Sequence, residues 1–279
     1  MLEAIEKFRG FMLDNLGEAP KEIIPDGSVK RFKINGKSNG WYNLHIDGRA
    51  AGSCGDWKEN SKFTWKNTGV YPPLTDQQRI DFKIEHHRQQ LIRKTEQDKI
   101  HNDTAIKAAS IWNKSDTPIS HAYLAKKRVK PHCLGIYKGS LVVPIFNHGA
   151  LVSVQFIDPE GNKRFLSGSK LKGSYSQLGE YGPDKPILAC EGWATGASLF
   201  ESTGNLIFVA FSAGNLKGVA QYVRSLYSTN QIIIMGDNDI SGVGQKAARD
   251  AALAIGGKYL IPDTDGNDWN DVVNRELML

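Results

Sequence analysis

The sequence predicts an α+β amino-terminal part with a small antiparallel sheet, followed by a carboxy-terminal α/β domain with a parallel sheet. Short aromatic and polar runs separated by turn residues occupy residues 28–72. From Pro186 onward, short apolar runs alternate with helical stretches, as expected for parallel strands joined by crossover helices. The length, 279 residues, suits one large domain or two small ones.

The composition is that of a globular protein, with 40% hydrophobic and 23% charged residues. No apolar run approaches the roughly 18 residues of a membrane-spanning helix, and no apolar leader segment is visible. Cys54, Cys133 and Cys190 form no C-x-x-C pair, which argues against a disulfide framework or a zinc ribbon. The sequence therefore predicts a cytoplasmic protein that has no membrane partner and binds no zinc.

The net charge of +5 is divided unevenly along the chain. Residues 187–279 hold 6 basic and 10 acidic residues, a net charge of −4, whereas residues 1–186 hold 29 and 20, a net charge of +9. A basic front can hold phosphates and an acidic back can hold cations, as in a metal-dependent enzyme that acts on nucleic acid. Charge also varies along any chain, so this asymmetry is only a suggestion.

Residues 1–75 are predicted to form the first domain. Residues 1–20 have helical spacing of apolar side chains, and Asn35-Gly36 and Asp47-Gly48 indicate hairpins in the sheet that follows. Tyr71-Pro72-Pro73 breaks the chain and ends the domain.

Aromatic side chains in this domain are interleaved with lysine and arginine. Such a pattern could stack bases and hold phosphates of a template strand. The alternative is that these aromatics form the core of the small sheet. The candidate base-stacking residues are Trp41, Tyr42, Trp57 and Trp65.

Residues 76–130 are predicted to form a helical linker or arm, and residues 131–185 a β-rich basic subdomain. The linker contains a polar helix over 76–100 and a second helix that begins near Asp103. The subdomain contains the strands LVVPIF, ALVSVQFID and KRFLSG, joined by turns at 147–149 and 159–161.

Carboxylates follow three strands of the predicted parallel sheet, where function collects in open α/β sheets. Up to seven reach the same edge, which is costly unless a cation neutralises them, and Mg²⁺ suits such oxygen ligands. Helix capping explains single members of the set but not all three strand ends together. The carboxylates are Glu191, Asp237, Asp239, Asp263, Asp265, Asp268 and Asp271.

Residues 186–279 resemble the Toprim domain, which bacterial-type primases, topoisomerases and some nucleases share. CEGWATGAS is similar to its glutamate motif, GDND to its D-x-D motif, and DWND to the acidic segment that follows. The resemblance implies a parallel, Rossmann-like sheet, catalytic roles for Glu191, Asp237 and Asp239, and Mg²⁺ or Mn²⁺ held by these residues with help from Asp268 and Asp271.

Residues 121–180 resemble the segment that precedes Toprim in primases of phages and plasmids. The run KRFLSGSK is similar to a basic primase motif, with Ser167 in place of its asparagine. The resemblance implies that basic residues here contact template or nucleotide phosphates; their alternative role is a solvated strand edge. The candidates are Lys163, Arg164, Lys170, Lys172, Lys127 and Arg128.

Together these resemblances predict a DNA primase that makes short RNA primers on single-stranded DNA from ribonucleoside triphosphates. A P-loop motif is absent from the sequence, so a replicative helicase would be a separate partner. Two alternatives stay open: a metal-dependent Toprim nuclease, and a replication accessory that binds single-stranded DNA without catalysis. A topoisomerase is disfavoured, because 279 residues leave little room for a strand-passage gate.

Overall fold

The chain divides into two compact units, Met1–His86 and His87–Leu279, in a computed structural model that describes residues 2–46, 49–59, 61–68 and 75–276. The predicted turn at Asp47-Gly48 and the predicted break at Tyr71-Pro72-Pro73 lie outside the described residues. The boundary between the units falls within a helix, and the finer division into four domains stays a prediction. In the described ranges, no helix is both long enough and apolar enough to cross a membrane.

The first unit contains a helix packed on a four-stranded antiparallel sheet, as the sequence predicts. Helix α1 (Leu2–Leu16) precedes four strands that pair in sequence order: β1 (Lys30–Ile34), β2 (Lys37–His45), β3 (Ala51–Asp56) and β4 (Phe63–Lys66). Asn35 and Gly36 have φ angles of 50° and 75°, the left-handed values that a two-residue hairpin of this kind requires.

A single long helix, α2 (Asp76–Asn113), replaces the two helices predicted over residues 76–127. The expected break near residue 100 is wrong, because no glycine or proline lies within the helix to interrupt it. Residues 76–100 are exposed, as expected for the polar part, and Ala108, Ile111 and Trp112 pack into a hydrophobic cluster. The short helix α3 (Ala122–Lys127) follows.

The second unit contains an antiparallel sheet that lies within the predicted β-rich subdomain. Its strands pair in sequence order: β5 (Gly135–Tyr137), β6 (Ser140–Asn147), β7 (Ala150–Ile157) and β8 (Lys163–Phe165). The predicted turn at 147–149 is a hairpin in which Asn147 pairs with Ala150 and His148 and Gly149 have positive φ angles. The three strands predicted here are therefore present as β6, β7 and β8.

The second sheet of this unit has five strands in the order β13-β12-β10-β11-β9. Its parallel core matches the prediction and comprises β10 (Ile187–Cys190), β11 (Ile207–Val209), β12 (Ile232–Met235) and β13 (Lys258–Leu260). The edge strand β9 (Ser176–Leu178) runs antiparallel to β11, so the sheet is mixed rather than purely parallel. The helices are α4 (Trp193–Thr203), α5 (Ala213–Leu226), α6 (Val243–Ile255) and α7 (Trp269–Glu276).

The strand order places a crevice between the carboxyl ends of β10 and β12. These strands are neighbours, with Cys190 opposite Met235. The chain leaves β10 towards β11 on one side and leaves β12 towards β13 on the other. Ligands bind open α/β sheets at such a reversal of strand order. The topology therefore brings Glu191 and Asp237, which follow these two strands, to the expected position of a site.

Candidate metal centre

Glu191 and Asp237 form an acidic pair whose negative charges repel each other. Burial, followed by the charges of Asp237 and Asp239, raises the pKa of Glu191 to about 7, and a backbone hydrogen bond from Ala213 partly offsets this. Burial, followed by the charges of Asp268 and Asp239, raises the pKa of Asp237 to about 6. The structure therefore brings four of the predicted carboxylates into one electrostatic cluster.

One oxygen of each carboxylate in this pair has no partner in the protein. Glu191 Oε1 and Asp237 Oδ1 are buried and accept no hydrogen bond. Such oxygens are rare in folded proteins, because desolvation without a partner costs roughly 1–3 kcal/mol, and more for a charged group. A bound cation would supply both the missing partner and the missing positive charge. The donor set consists of hard carboxylate oxygens, which fit Mg²⁺ or Mn²⁺.

The remaining predicted ligands are partly engaged by the backbone. Asp239 Oδ2 accepts a 2.9 Å hydrogen bond from the Gly244 N–H near the start of α6. In the parts of the chain that the structure describes, no three His, Cys, Asp or Glu side chains converge as a metal-holding group. A divalent cation on Glu191 and Asp237 would therefore complete its shell with water and substrate phosphate oxygens, as Mg²⁺ usually does.

Asp268 and Asp271 form a reciprocal cap on helix α7. The Asp271 N–H donates to Asp268 Oδ1 at 3.0 Å, and the Asp268 N–H donates to Asp271 Oδ2 at 3.2 Å. This is the hydrogen-bond pattern of a capping box, which satisfies free N–H groups at a helix start. The capping alternative considered for the sequence thus applies to these two residues. Asp268 also acts on Asp237 electrostatically, whereas the metal role of Asp271 stays a prediction.

Two of the predicted basic residues, Lys127 and Lys163, lie near the acidic cluster. Lys127 Nζ is 3.5 Å from Asp268 Oδ2. Lys163 is an exposed residue as a whole. Its pKa is nevertheless lowered, first by loss of water around its ammonium group and then by the charge of Lys127. The charges of Asp268 and Asp237 partly offset this shift. Both ammonium groups in turn lower the pKa of Asp237. Phosphates held here would contact two cations beside the carboxylate pair.

Arg164 lies on the other side of strand β8 from Lys163. It pairs across the strands with Phe156, and its guanidinium carbon is 4.8 Å from the centre of that ring. Phe156 belongs to the hydrophobic cluster that contains Ala108 of α2. Successive residues of a strand face opposite sides, so the structure does not bring Arg164 to the carboxylates.

Lys170 and Lys172 are exposed in a loop that a buried asparagine anchors. Asn215 Oδ1 accepts from the Gly173 N–H at 2.7 Å, and its amide donates to Ser174 O at 2.8 Å. Both lysines therefore stay on a fixed loop. Their contact with phosphates stays a prediction.

Two further asparagines that the sequence analysis did not single out hold the site's loops. Asn238 donates to Pro262 O at 2.8 Å, which ties the loop after β12 to the loop after β13. Asn270, 1% exposed, donates to Lys127 O at 2.8 Å and to Ser198 Oγ at 2.7 Å. Both asparagines lie within the motifs that carry the candidate carboxylates, Asn238 in GDND and Asn270 in DWND.

A polar cleft of about 450 Å³ lies beside the cluster, between the end of α3 and helix α7. Its cations include Lys126 and Arg275, which the sequence analysis did not propose. A cleft with four cations and amide donors suits phosphate groups. Its lining residues are Lys126, Lys127, Arg128, Asn267, Asn270, Asp271, Asn274 and Arg275.

The four candidate stacking residues of the first unit divide between two environments. Tyr42 is buried in the core, where its hydroxyl accepts from the Ile24 N–H at 3.0 Å. Trp65 packs on Phe8 of α1, with ring centres 5.5 Å apart. Trp41 and Trp57 contact each other instead, with ring centres 5.4 Å apart. The alternative that these aromatics form the core is therefore right for Tyr42 and Trp65.

Residues 186–278, which contain the parallel sheet and the carboxylate pair, match the family model described as the Toprim domain. Toprim domains in general depend on Mg²⁺, in keeping with the carboxylate pair.

The chain is also similar to two curated proteins named DNA primase TraC from Escherichia coli. The chain is 30% identical to one of them over 265 residues, which cover 86% of this chain and 18% of that protein. It is 29% identical to the other over 278 residues, which cover 92% of this chain and 25% of that protein. The chain thus spans a quarter or less of the relatives' own lengths. The predicted resemblance to Toprim primases of mobile elements is confirmed.

Among solved structures, the chain is similar to that of the Aquifex aeolicus primase, which contains the zinc-binding and RNA polymerase domains of that protein. The TM-score is 0.47 and the identity 11%, over 99% of this chain and 84% of that one.

Proposed function

We propose that this chain is the catalytic part of a DNA primase, which makes short RNA primers on single-stranded DNA by joining ribonucleoside triphosphates. The observation that carries the proposal is the pair of buried carboxylates with unpartnered oxygens, Glu191 and Asp237, at the reversal of strand order. Two cations, Lys127 and Lys163, lie beside it. The similarity to the two DNA primases supports the choice of reaction.

In the proposed reaction, a ribonucleotide 3′-hydroxyl attacks the α-phosphate of a second nucleoside triphosphate, and pyrophosphate leaves. Mg²⁺ or Mn²⁺ held by Glu191 and Asp237, with Asp239 and Asp268 nearby, would neutralise charge that develops on the phosphate oxygens. Asp271 would assist only through water.

The chain's own residues bind the phosphates and move the proton. Glu191 would hold a metal ion or, with the ion on Asp237, accept the proton of the attacking hydroxyl. Lys127 and Arg128, which line the cleft, would hold the triphosphate together with Lys163, which lies near Lys127. The capping box of α7 and the hydrogen bond from Asn270 fix Lys127 relative to Asp268, so less freedom is lost when phosphate binds.

The cofactor and partner predictions belong to the same proposal. The enzyme would use Mg²⁺ or Mn²⁺ and no zinc, work in the cytoplasm, and act with a separate replicative helicase. The three cysteines are free, with Cys54 and Cys190 buried and Cys133 exposed. Elemental analysis of the purified chain tests the zinc prediction: a stoichiometric zinc content contradicts it.

A template-dependent incorporation assay tests the proposal. The chain is incubated with single-stranded DNA, labelled ribonucleotides and Mg²⁺ or Mn²⁺. Extended RNA whose composition follows the template supports a primase. Shortened DNA means that the same carboxylates activate water, as in the nuclease alternative. Metal-independent DNA binding with neither product means the accessory alternative.

A further inference from the structure

We propose that the face of the first unit's sheet opposite helix α1 binds single-stranded DNA, with a base stacked on Trp57. The proposal rests on the proposed function and deepens it, since it names a surface on which the template is held. The occupant is a single nucleic-acid strand because the face combines one exposed aromatic ring with cations and small polar groups.

Alternation along the strands separates the two faces of this sheet. Phe32 and Ile34 of β1 are buried in the core with Phe8 and Met12 of α1. Arg31 and Lys33 alternate with them and are exposed. Trp41 pairs with Arg31 across β1 and β2, so it belongs to the face that does not contact α1.

The two tryptophan rings contact each other with an angle of 35° between their planes. Trp41 is 9% exposed and lies beneath Trp57, which is 56% exposed. Gly55, opposite Trp41 on β3, leaves room for the lower ring, because a Cβ atom there would come within 2.7 Å of Trp41 Nε1. The glycine lets the Trp41 ring lie across the sheet. The Trp57 ring is thereby supported from below and leaves a large surface for a base.

The charge of this face is positive. The outward positions of the four strands include Arg31, Lys33 and Lys66, all exposed, and no Asp or Glu. The neighbouring outward residues are small and polar: Asn43 Oδ1 accepts from the Ser53 N–H at 2.9 Å, and Thr64 is exposed. A single strand offers both of the groups this face can bind, a π-face for Trp57 and phosphates for the cations.

Photo-crosslinking with the full chain tests the position of the strand. An oligodeoxythymidylate that carries 5-iodouracil is bound in EDTA without nucleotides, irradiated and mapped by peptide mass spectrometry. The expected crosslink is on Trp57. Crosslinks confined to residues 87–279 would overturn the proposal.

Affinity measurements test the contribution of the ring. Trp57→Ala should weaken binding of labelled oligodeoxythymidylate by roughly fivefold to a hundredfold, the range for loss of one stacked base, whereas Trp57→Phe should retain most of it. Leu13→Ala, at a 47% exposed position of α1, is the matched control and should change nothing. Equal affinity of wild type and Trp57→Ala would contradict the proposal. Duplex DNA that binds as tightly as the single-stranded oligonucleotide would also contradict the proposal. Single-stranded RNA that binds more tightly than single-stranded DNA would overturn the choice of DNA as the ligand.

Failure of this proposal and failure of the proposed function give different results. Asp237→Asn removes a catalytic carboxylate and should bind the oligonucleotide as the wild type does. Trp57-dependent binding without any primer synthesis would retain the surface and reject the primase. Primer synthesis with no effect of Trp57→Ala on binding and no crosslink at Trp57 would retain the primase and reject the surface.

Discussion

The two sheets that carry candidate sites place their chemistry in different ways. In the carboxy-terminal domain, Glu191 and Asp237 follow neighbouring parallel strands, so the strand order alone brings them together. In the first unit, the candidate residues lie along the strands, and each residue's face decides its role. Trp41 and Trp65 both lie within strands of this sheet, yet Trp65 packs on α1 and Trp41 contacts Trp57. The position of side chains that follow strands is set by the order of the strands in the sheet. The role of side chains along a strand is set by which face of the sheet the helix covers.

Substitution at the strand ends is expected to have the largest effect. Asp237→Asn or Glu191→Gln should lower template-dependent incorporation at least roughly a hundredfold, because each removes charge from the site where phosphate charge must be neutralised. Asp184→Asn, an exposed carboxylate in the turn before β10, is the matched control and should keep full activity. Thermal unfolding of each variant is measured alongside. Wild-type activity in either strand-end variant would contradict the assignment.

The acidic pair should also make stability depend on pH in the absence of metal. The folded pKa values, about 7 for Glu191 and about 6 for Asp237, lie above the ordinary values of 4.5 and 3.8. Between about pH 4 and pH 7 the folded state therefore binds more protons than the unfolded state, so the free energy of unfolding falls as the pH rises. The loss should amount to a few kcal/mol.

Urea unfolding in EDTA measures this slope, and added Mg²⁺ should restore stability at pH 8. The double variant Glu191→Gln/Asp237→Asn is the control and should lack both the slope and the response to Mg²⁺. If Mg²⁺ leaves the free energy of unfolding of the wild type unchanged at pH 8, the carboxylate pair holds no cation.

A pair of tryptophan substitutions sharpens the comparison between strand faces. Trp65→Ala should lower the free energy of unfolding by about 3 kcal/mol, because it removes a ring packed on Phe8 of the core. Trp57→Ala should cost about 1 kcal/mol or less, since that ring is largely exposed. Chemical denaturation of both variants makes the comparison. The reverse order of costs would mean that the two faces have been assigned wrongly.

The smallest expected effect concerns the cleft between α3 and α7. Arg128→Ala or Arg275→Ala should raise the KM for ribonucleotides about fivefold and leave kcat nearly unchanged, as expected for loss of one phosphate contact of about 1 kcal/mol. Lys258→Ala, exposed at the amino end of β13, serves as the control cation. An unchanged KM in both arginine variants would exclude the cleft from nucleotide binding.

The sequence was informative wherever backbone periodicity determines position. Alternating strands and helices predicted the parallel core, and the carboxylates at strand ends predicted the cluster around Glu191 and Asp237. The antiparallel edge strand β9 was not predicted, because three residues, Ser176–Leu178, carry no periodic signal and pair only through a distant partner. Helix α2 is continuous where the sequence analysis predicts two helices, because it contains no glycine or proline.

The hydrogen bonds and contacts of individual side chains could not be predicted from the sequence, for a different reason. Whether Asp271 caps a helix or faces a cation depends on hydrogen bonds that only the folded loop shows. Arg164 and Lys163 are adjacent in a basic motif, but the strand sends them to opposite sides. The buried asparagines Asn238 and Asn270 act through contacts with residues far away in the chain.

A titration of Mn²⁺ binding, followed by electron paramagnetic resonance, tests the central claim that Glu191 and Asp237 together hold a divalent cation. Wild type and Asp184→Asn should bind Mn²⁺ with equal affinity, and Mg²⁺ should compete with it. Asp237→Asn should bind at least roughly tenfold more weakly, a difference of about 1.4 kcal/mol. Equal Mn²⁺ affinity in wild type and Asp237→Asn would contradict the account.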